Sequence, residues 1–114
     1  MTGRTIALAL AFGFTTVITA SAQDAAMIAK GQKVYAANKC STCHSIEGKG
    51  NKKGPLDEVG TKLTADEIRE WMLHPDDMAA KAKSTRKPPM KAYDKMSKED
   101  LDALVTYLQS LKKK

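Results

Sequence analysis

The chain has few aromatic residues, two cysteines and no convincing pattern of β-strands. Aromatic residues make up 5% of its 114 residues. After position 22 no apolar run approaches the roughly 20 residues that a membrane-spanning helix needs. We find no internal repeat and no low-complexity tract. These absences exclude a disulfide-rich scaffold and a repeat protein, and they predict a small helical domain with a thin apolar core.

The first 22 residues have the pattern of a secretory signal peptide. Arg4 supplies the positive charge, an apolar stretch follows, and Ala20-Ser21-Ala22 is an A-x-A cleavage site. The apolar stretch is too short to span a bilayer, although an uncleaved membrane anchor is the alternative. Cleavage after Ala22 predicts a single domain over residues 23–114, exported to the periplasm, with no stable membrane insertion.

Basic residues exceed acidic ones. The chain has 19 Lys and Arg against 13 Asp and Glu, a formal net charge of +6. Many of the cations lie in two segments: Lys49, Lys52 and Lys53, then Lys81, Lys83, Arg86, Lys87, Lys91 and Lys95. Such a charge steers acidic protein partners at long range, although a plain solvated surface is the alternative. Export and the scarcity of aromatics argue against nucleic acid.

The five residues from Cys40 to His44 read Cys-Ser-Thr-Cys-His. C-x-x-C-H is the signature of covalent haem attachment. Two sulfurs three residues apart on one helical turn project from the same side, so they can form thioethers with both vinyl groups of one porphyrin. His44 follows at once and can bind the iron. The motif predicts one haem c, attached through Cys40 and Cys43, with His44 as an axial ligand.

Three other uses of the motif are open. A dithiol redox pair normally accompanies a βαβ pattern, which this sequence does not show. A zinc site needs four ligands, commonly cysteine and histidine, and the supply of these is Cys40, Cys43, His44 and His74, of which Cys43 and His44 are adjacent. A disulfide between the two cysteines would close a very short, strained loop.

Periodicity predicts a first helix over residues 24–38 and a last helix that begins at Ser97. Gly31 lies on the apolar face of the first helix, where glycine costs about 1 kcal/mol relative to alanine. A second helix crossing closely over Gly31 explains this choice. The last helix has a good N-cap in Ser97 and an apolar stripe from Leu101 to Leu111, so it is the natural partner.

A middle helix begins at the capping box formed by Thr64 and Glu67, and Pro75 ends it. Two long loops complete the prediction, over residues 47–60 and 75–96. The fold class that follows is all-α, with no convincing strand.

The second axial ligand has several candidates: Met27, Met72, Met78, Met90, Met96 and His74. Met90 follows two prolines, which restrict the backbone of a loop that must hold a weak thioether ligand. We therefore predict His44 and Met90 as the two iron ligands. His74 is the chemically distinct rival, because a pair of imidazoles would lower the reduction potential.

Taken together, these features resemble the class I cytochromes c. The resemblance covers residues 24–112 and includes the haem motif after the first helix, the glycine and aromatic pair Gly31 and Tyr35, and their partners Leu104 and Tyr107. Gly54-Pro55-Leu56, Trp71 and the loop from Arg86 to Tyr93 resemble further segments of the family. The order and spacing of these segments carry the resemblance.

The resemblance implies the cytochrome c fold, in which the N- and C-terminal helices cross and a middle helix and long loops surround one haem. It also implies that the carbonyl of Pro55 accepts a hydrogen bond from His44. Trp71 would donate to a haem propionate, with plain core packing as the alternative.

The predicted function is one-electron transfer by a periplasmic, monomeric carrier with both axial positions filled, and not an enzyme. Two alternatives share this chemistry. One is a dedicated electron-accepting cytochrome subunit of a periplasmic dehydrogenase or oxidoreductase. The other is a ligand-binding haem protein with a labile sixth site.

Overall fold

The computed structural model describes residues 2–3, 7, 9–14 and 20–114. The predicted signal peptide lies partly outside these residues, Arg4 among them, and the side chains around the cleavage site are not described. The signal peptide and its cleavage therefore stay predictions. Within the described residues, no helix combines the length and the apolar character needed to cross a membrane.

The described chain is mostly helical, which confirms the predicted all-α fold. In chain order the elements are α1 (Ala20–Ala37), a 3-10 turn (Cys40–Thr42), β1 (Ser45–Ile46), β2 (Lys49–Gly50), α2 (Val59–Lys62), α3 (Ala65–Leu73), α4 (Pro75–Lys81) and α5 (Lys98–Gln109). β1 and β2 pair antiparallel, with Ser45 opposite Gly50. The sequence shows no convincing strand, because strands of two residues are too short to give an alternating pattern.

The first and last helices, α1 and α5, cross at Gly31, as predicted. A Cβ at Gly31 would overlap the carbonyl oxygen of Ala103 and lie 2.5 Å from the Cβ of Tyr107. Beside this contact the rings of Tyr35 and Tyr107 stack, with centroids 6.0 Å apart and planes 13° from parallel. The missing side chain of Gly31 therefore allows the two helix backbones to approach.

The middle helix α3 starts at the predicted capping box. The Thr64 hydroxyl accepts from the Glu67 N–H at 3.2 Å, and the Glu67 carboxylate accepts from the Thr64 N–H at 3.1 Å. Pro75 follows the end of α3, but it also opens α4, which the sequence analysis assigned to a loop. Proline suits the first position of a helix, and Asp76 and Asp77 favour the positive end of its dipole.

The core lies between α1, α3 and α5 and is small. Its buried cluster consists of Val34, Ile68, Met72, Leu101, Leu104, Val105 and Leu108. Ten more apolar side chains pack against this cluster but stay partly exposed: Tyr35, Ile46, Leu56, Val59, Leu63, Leu73, Met90, Tyr93, Met96 and Leu111. Apolar surface thus remains uncovered by protein, and a bulky apolar group could bury it.

Candidate cofactor site

The cysteine motif sits where α1 ends. The Asn38 side chain donates to the Val34 carbonyl at 2.8 Å, and Lys39 adopts a left-handed conformation with φ of 53°. Lys39 thereby stops α1 and redirects the chain into the 3-10 turn. In that turn the N–H groups of Cys43 and His44 both donate to the Cys40 carbonyl, at 3.1 and 2.9 Å.

Both cysteines are partly buried and neither is in a disulfide. Burial raises the pKa of the Cys40 thiol to about 11, and the positive charge of Lys91 acts in the opposite direction. The free thiol is therefore protonated at neutral pH. The influence of Lys91 also shows that the residue next to Met90 lies within electrostatic range of the motif.

Asn51 holds the motif turn from outside, a role that the sequence analysis missed. Its backbone N–H lies 3.0 Å from the carbonyl oxygens of both Ser41 and His44, and its side-chain amide donates to Thr42 at 3.3 Å. The preceding Gly50 has φ of +106°, and a Cβ there would overlap the His44 carbonyl. The only signal in the sequence was an asparagine in a glycine-rich loop, which is typical of many turns.

His44 is half-buried, and its ring is oriented by the backbone. Its Nδ1 lies 3.1 Å from the carbonyl oxygen of Gly54. Burial lowers the pKa of His44, the Gly54 carbonyl opposes this effect, and the positive charge of Arg86 reinforces it. In a neutral imidazole, the Nδ1–H donates to the carbonyl and the Nε2 lone pair remains available to a metal.

The prediction that Pro55 supplies this carbonyl is wrong in the structure, because the acceptor is one residue earlier. Ser45 forms a parallel bridge with Pro55, in which the Gly54 carbonyl accepts from Ser45 N–H at 3.1 Å and Leu56 N–H donates back to Ser45 at 2.8 Å. Successive carbonyls of an extended segment point to opposite sides. The bridge therefore turns the Gly54 carbonyl toward His44.

Met90 is partly buried and packs against the core. Its loop is anchored beyond it by the Tyr93 N–H, which donates to the Met72 carbonyl at 2.7 Å. Before it, the Arg86 guanidinium donates to the carbonyl of Cys43. The structure thus ties the predicted methionine loop to both α3 and the cysteine motif.

A cavity of about 450 Å³ lies beside Met90, bounded by residues 73–77 on one side and 89–92 on the other. His74 is among the residues that line it, so the two strongest candidates for the second axial ligand border one space. Among the other candidates, Met72 is a buried core residue at 4% exposure. Met96 packs against the core.

Trp71 lies on α3 and is half-buried. The predicted apolar face of this helix included Ile68, Trp71 and Met72. Ile68 and Met72 are buried at 3% and 4% exposure, whereas Trp71 is not among the side chains that pack against the core. Its predicted hydrogen bond to a haem propionate stays a prediction.

The alternatives to haem attachment gain no support from the described residues. No group of three or more His, Cys, Asp and Glu side chains is arranged there to bind a metal ion, so the four zinc ligands are not assembled. The described strands form one short antiparallel ribbon, which differs from the βαβ unit expected around a dithiol redox pair.

Comparison with known proteins gives two matches. The family model "Cytochrome c" matches residues 28–112. Cytochrome c oxidase subunit 2 of Alkalihalophilus pseudofirmus is 34% identical over 90 residues, which cover 73% of this chain and 25% of that protein. The chain thus spans about a quarter of the length of this relative. No solved structure matches the chain significantly.

Proposed function

Because the chain belongs to the cytochrome c family, we propose that it carries single electrons by means of one haem c, attached covalently at Cys40 and Cys43. The observation that carries this proposal is the geometry of the motif. Two unpaired, partly buried thiols lie on one 3-10 turn, Cys40 as its first residue and Cys43 directly after its last. The next residue, His44, has one ring nitrogen held by Gly54 and the other available to a metal.

The residues around the motif suit a haem, because they offer ligands for its iron and apolar side chains for its porphyrin. An imidazole nitrogen and a thioether sulfur are an established axial pair for haem iron, and the chain offers them on His44 and Met90. The partly exposed apolar side chains of the core include Met90 and Tyr93 from one loop and Ile46 and Leu56 from the other. Covering them with a porphyrin would remove apolar surface from water, which stabilises the fold.

The bound haem would supply reversible one-electron chemistry at its iron. The chain positions and insulates it. The Gly54 carbonyl fixes the orientation of the His44 ring, which raises the basicity of the opposite nitrogen. Pro89 and Pro88 restrict the backbone before Met90. With both axial positions occupied no site is left for a substrate, so the proposal is a carrier and not an enzyme.

Pro55 and Trp71 keep supporting roles in this proposal. Pro55 fixes the backbone beside Gly54 and takes part in the bridge to Ser45, so it acts on His44 through its neighbour. Trp71 is half-buried outside the packed core, and its indole N–H needs a polar partner once covered. A haem propionate would be that partner.

We place the protein in the periplasm, as a monomer that docks briefly with acidic redox proteins. The support is the N-terminal pattern and a net charge of +6. The lysines and arginine of the two basic segments are all exposed. None of them takes part in the ion pairs found in the described part of the chain. A rate of electron transfer to acidic partners that falls with rising ionic strength would support this docking.

The decisive experiment asks whether haem is held by the two cysteines. The exported protein and the double variant Cys40→Ala, Cys43→Ala are run on a denaturing gel and stained for haem. We expect stain in the first and none in the second. Ser41→Ala with Thr42→Ala is the matched control, because it alters the turn but keeps both sulfurs. Haem stain that survives in the cysteine double variant would refute covalent attachment.

A visible spectrum separates the carrier from a protein with an open sixth site. We expect the reduced carrier to bind carbon monoxide slowly or not at all, because Met90 occupies the position. Rapid binding to the native reduced protein would favour the ligand-binding alternative.

The second candidate is a dedicated cytochrome subunit of a larger redox enzyme. Similarity to a subunit of cytochrome c oxidase over 90 residues favours it. Co-purification with a partner in equal amounts would support this role, whereas a single monomeric species would support the free carrier.

A further inference from the structure

The carbonyl groups of the cysteine motif are nearly all bonded from within the same loop. Cys40 accepts from the turn itself, and Ser41, Thr42 and His44 accept from Asn51. The remaining carbonyl, that of Cys43, accepts from the guanidinium of Arg86, which lies 43 residues further along the chain. In the described structure this bond is a direct polar link between the motif and the loop that carries Met90.

Gly54 makes room for the arginine. A Cβ at Gly54 would overlap both the Arg86 guanidinium and the Cys43 carbonyl oxygen. Gly54 is buried, and it is also the residue whose carbonyl orients His44. The Arg86 side chain therefore passes over Gly54, which orients the predicted iron ligand His44. Arg86 itself belongs to the loop that carries the other predicted ligand, Met90.

The segment around Met90 has little backbone support of its own. The backbone-to-backbone bonds before and after it are Ser84 N–H to Ala79 at 2.9 Å and Tyr93 N–H to Met72 at 2.7 Å, and residues 85–92 make no backbone-to-backbone bond within the described structure. The Arg86 N–H donates to the nearby Ser84 hydroxyl at 3.4 Å. The side chain of Arg86 thus anchors the near end of the segment, and Tyr93 anchors its far end. Without the arginine, the unsupported stretch would lengthen and Met90 would move more freely.

We propose that Arg86 is a positioning residue that latches the Met90 loop to the cysteine motif and so slows the departure of the Met90 sulfur from the iron. This inference rests on the proposed His44 and Met90 ligation. A guanidinium suits the role, because its charge strengthens the bond to a carbonyl and its planar fork fixes the direction. Lysine keeps the charge but lacks the fork.

The test compares Arg86→Leu and Arg86→Lys with the matched control Lys87→Leu. Lys87 is the adjacent exposed cation and makes no hydrogen bond or ion pair in the described structure. The first readout is the rate of cyanide binding to the oxidised protein at saturating cyanide, which reports how fast the sixth ligand leaves. The second is hydrogen exchange of peptides covering residues 84–92, which reports loop opening without use of the iron.

We expect Arg86→Leu to bind cyanide about fivefold faster than the parent, the factor that corresponds to about 1 kcal/mol for one net hydrogen bond. Its loop peptides should exchange faster by a similar factor. Arg86→Lys should fall between Arg86→Leu and the parent, and Lys87→Leu should match the parent. Equal rates in Arg86→Leu and Lys87→Leu, in either readout, would overturn the latch.

Failure of the latch and failure of the proposed function give different results. If Met90 is not the ligand, the parent protein lacks the sulfur-to-iron absorption band, and hydrogen exchange alone then decides whether Arg86 holds the loop. If the band is present and exchange is unchanged in Arg86→Leu, the ligation stands and the latch is refuted.

Discussion

Replacement of Gly31 by alanine tests the helix crossing on which the site is built. The added methyl group would overlap the Ala103 carbonyl oxygen, lie 2.5 Å from the Cβ of Tyr107 and 2.9 Å from the Ala103 carbonyl carbon. Overpacking costs about 1–3 kcal/mol, and we take about 3 because the backbone of α5 has to move. The higher helix propensity of alanine relative to glycine offsets about 1 kcal/mol of this cost. We therefore expect a net loss of about 2 kcal/mol in the free energy of unfolding.

The assay is guanidinium unfolding of the haem-loaded protein, followed by Trp71 fluorescence and by haem absorption. In thermal unfolding followed by the same signals, about 2 kcal/mol corresponds to a fall in Tm of about 8–16 °C for a domain of this size. The control is Ala29→Gly, at an exposed position of α1, which should cost about 1 kcal/mol through propensity alone. If Gly31→Ala is instead as stable as the parent or more stable, the close approach of α1 and α5 is refuted.

Two further predictions concern Met90 and Tyr35. Met90→Ala should abolish the sulfur-to-iron absorption band and lower the reduction potential, whereas His74→Ala should leave both unchanged. If His74 is the ligand instead, the parent lacks the band, and His74→Ala rather than Met90→Ala changes the potential. The hydroxyl of Tyr35 is buried with no hydrogen-bond partner in the described structure. The free energy of unfolding of Tyr35→Phe at pH 7 should therefore be within about 1 kcal/mol of that of the parent, or higher. Burial raises the pKa of Tyr35 to about 12 from 10.0, so between these values the unfolded chain releases a proton that the folded chain retains. The stability of the parent should therefore fall as pH rises through this range, and more steeply than that of Tyr35→Phe; equal slopes would show that Tyr35 does not titrate in this way.

The parts of the fold that the sequence predicted well depend on short-range chemistry. The capping box of Thr64 and Glu67 joins residues three positions apart, so its side chains and backbone donors meet in any helix that starts there. Gly31 was informative for a related reason, because glycine within an apolar helical face has few explanations other than close packing.

The parts that the sequence missed involve backbone groups or distant neighbours. Helix α4 was assigned to a loop, because Pro75 was interpreted only as the end of α3 and not as the first residue of a new helix. The acceptor for His44 was placed one residue too late, because the choice between the carbonyls of Gly54 and Pro55 depends on the bridge to Ser45. Backbone carbonyls are chemically alike, so residue types do not distinguish them.

The sequence by itself determined which reactive side chains lie together in the cysteine motif. The spacing of Cys40, Cys43 and His44 specifies two thiols and one imidazole on a single turn, because that geometry is local. Tertiary structure alone decided how the turn is held. Asn51 binds its carbonyls across a loop, and Arg86 reaches the last of them from 43 residues away. The Arg86 contact cannot be inferred from the sequence, since a bond between distant residues depends on their positions in space.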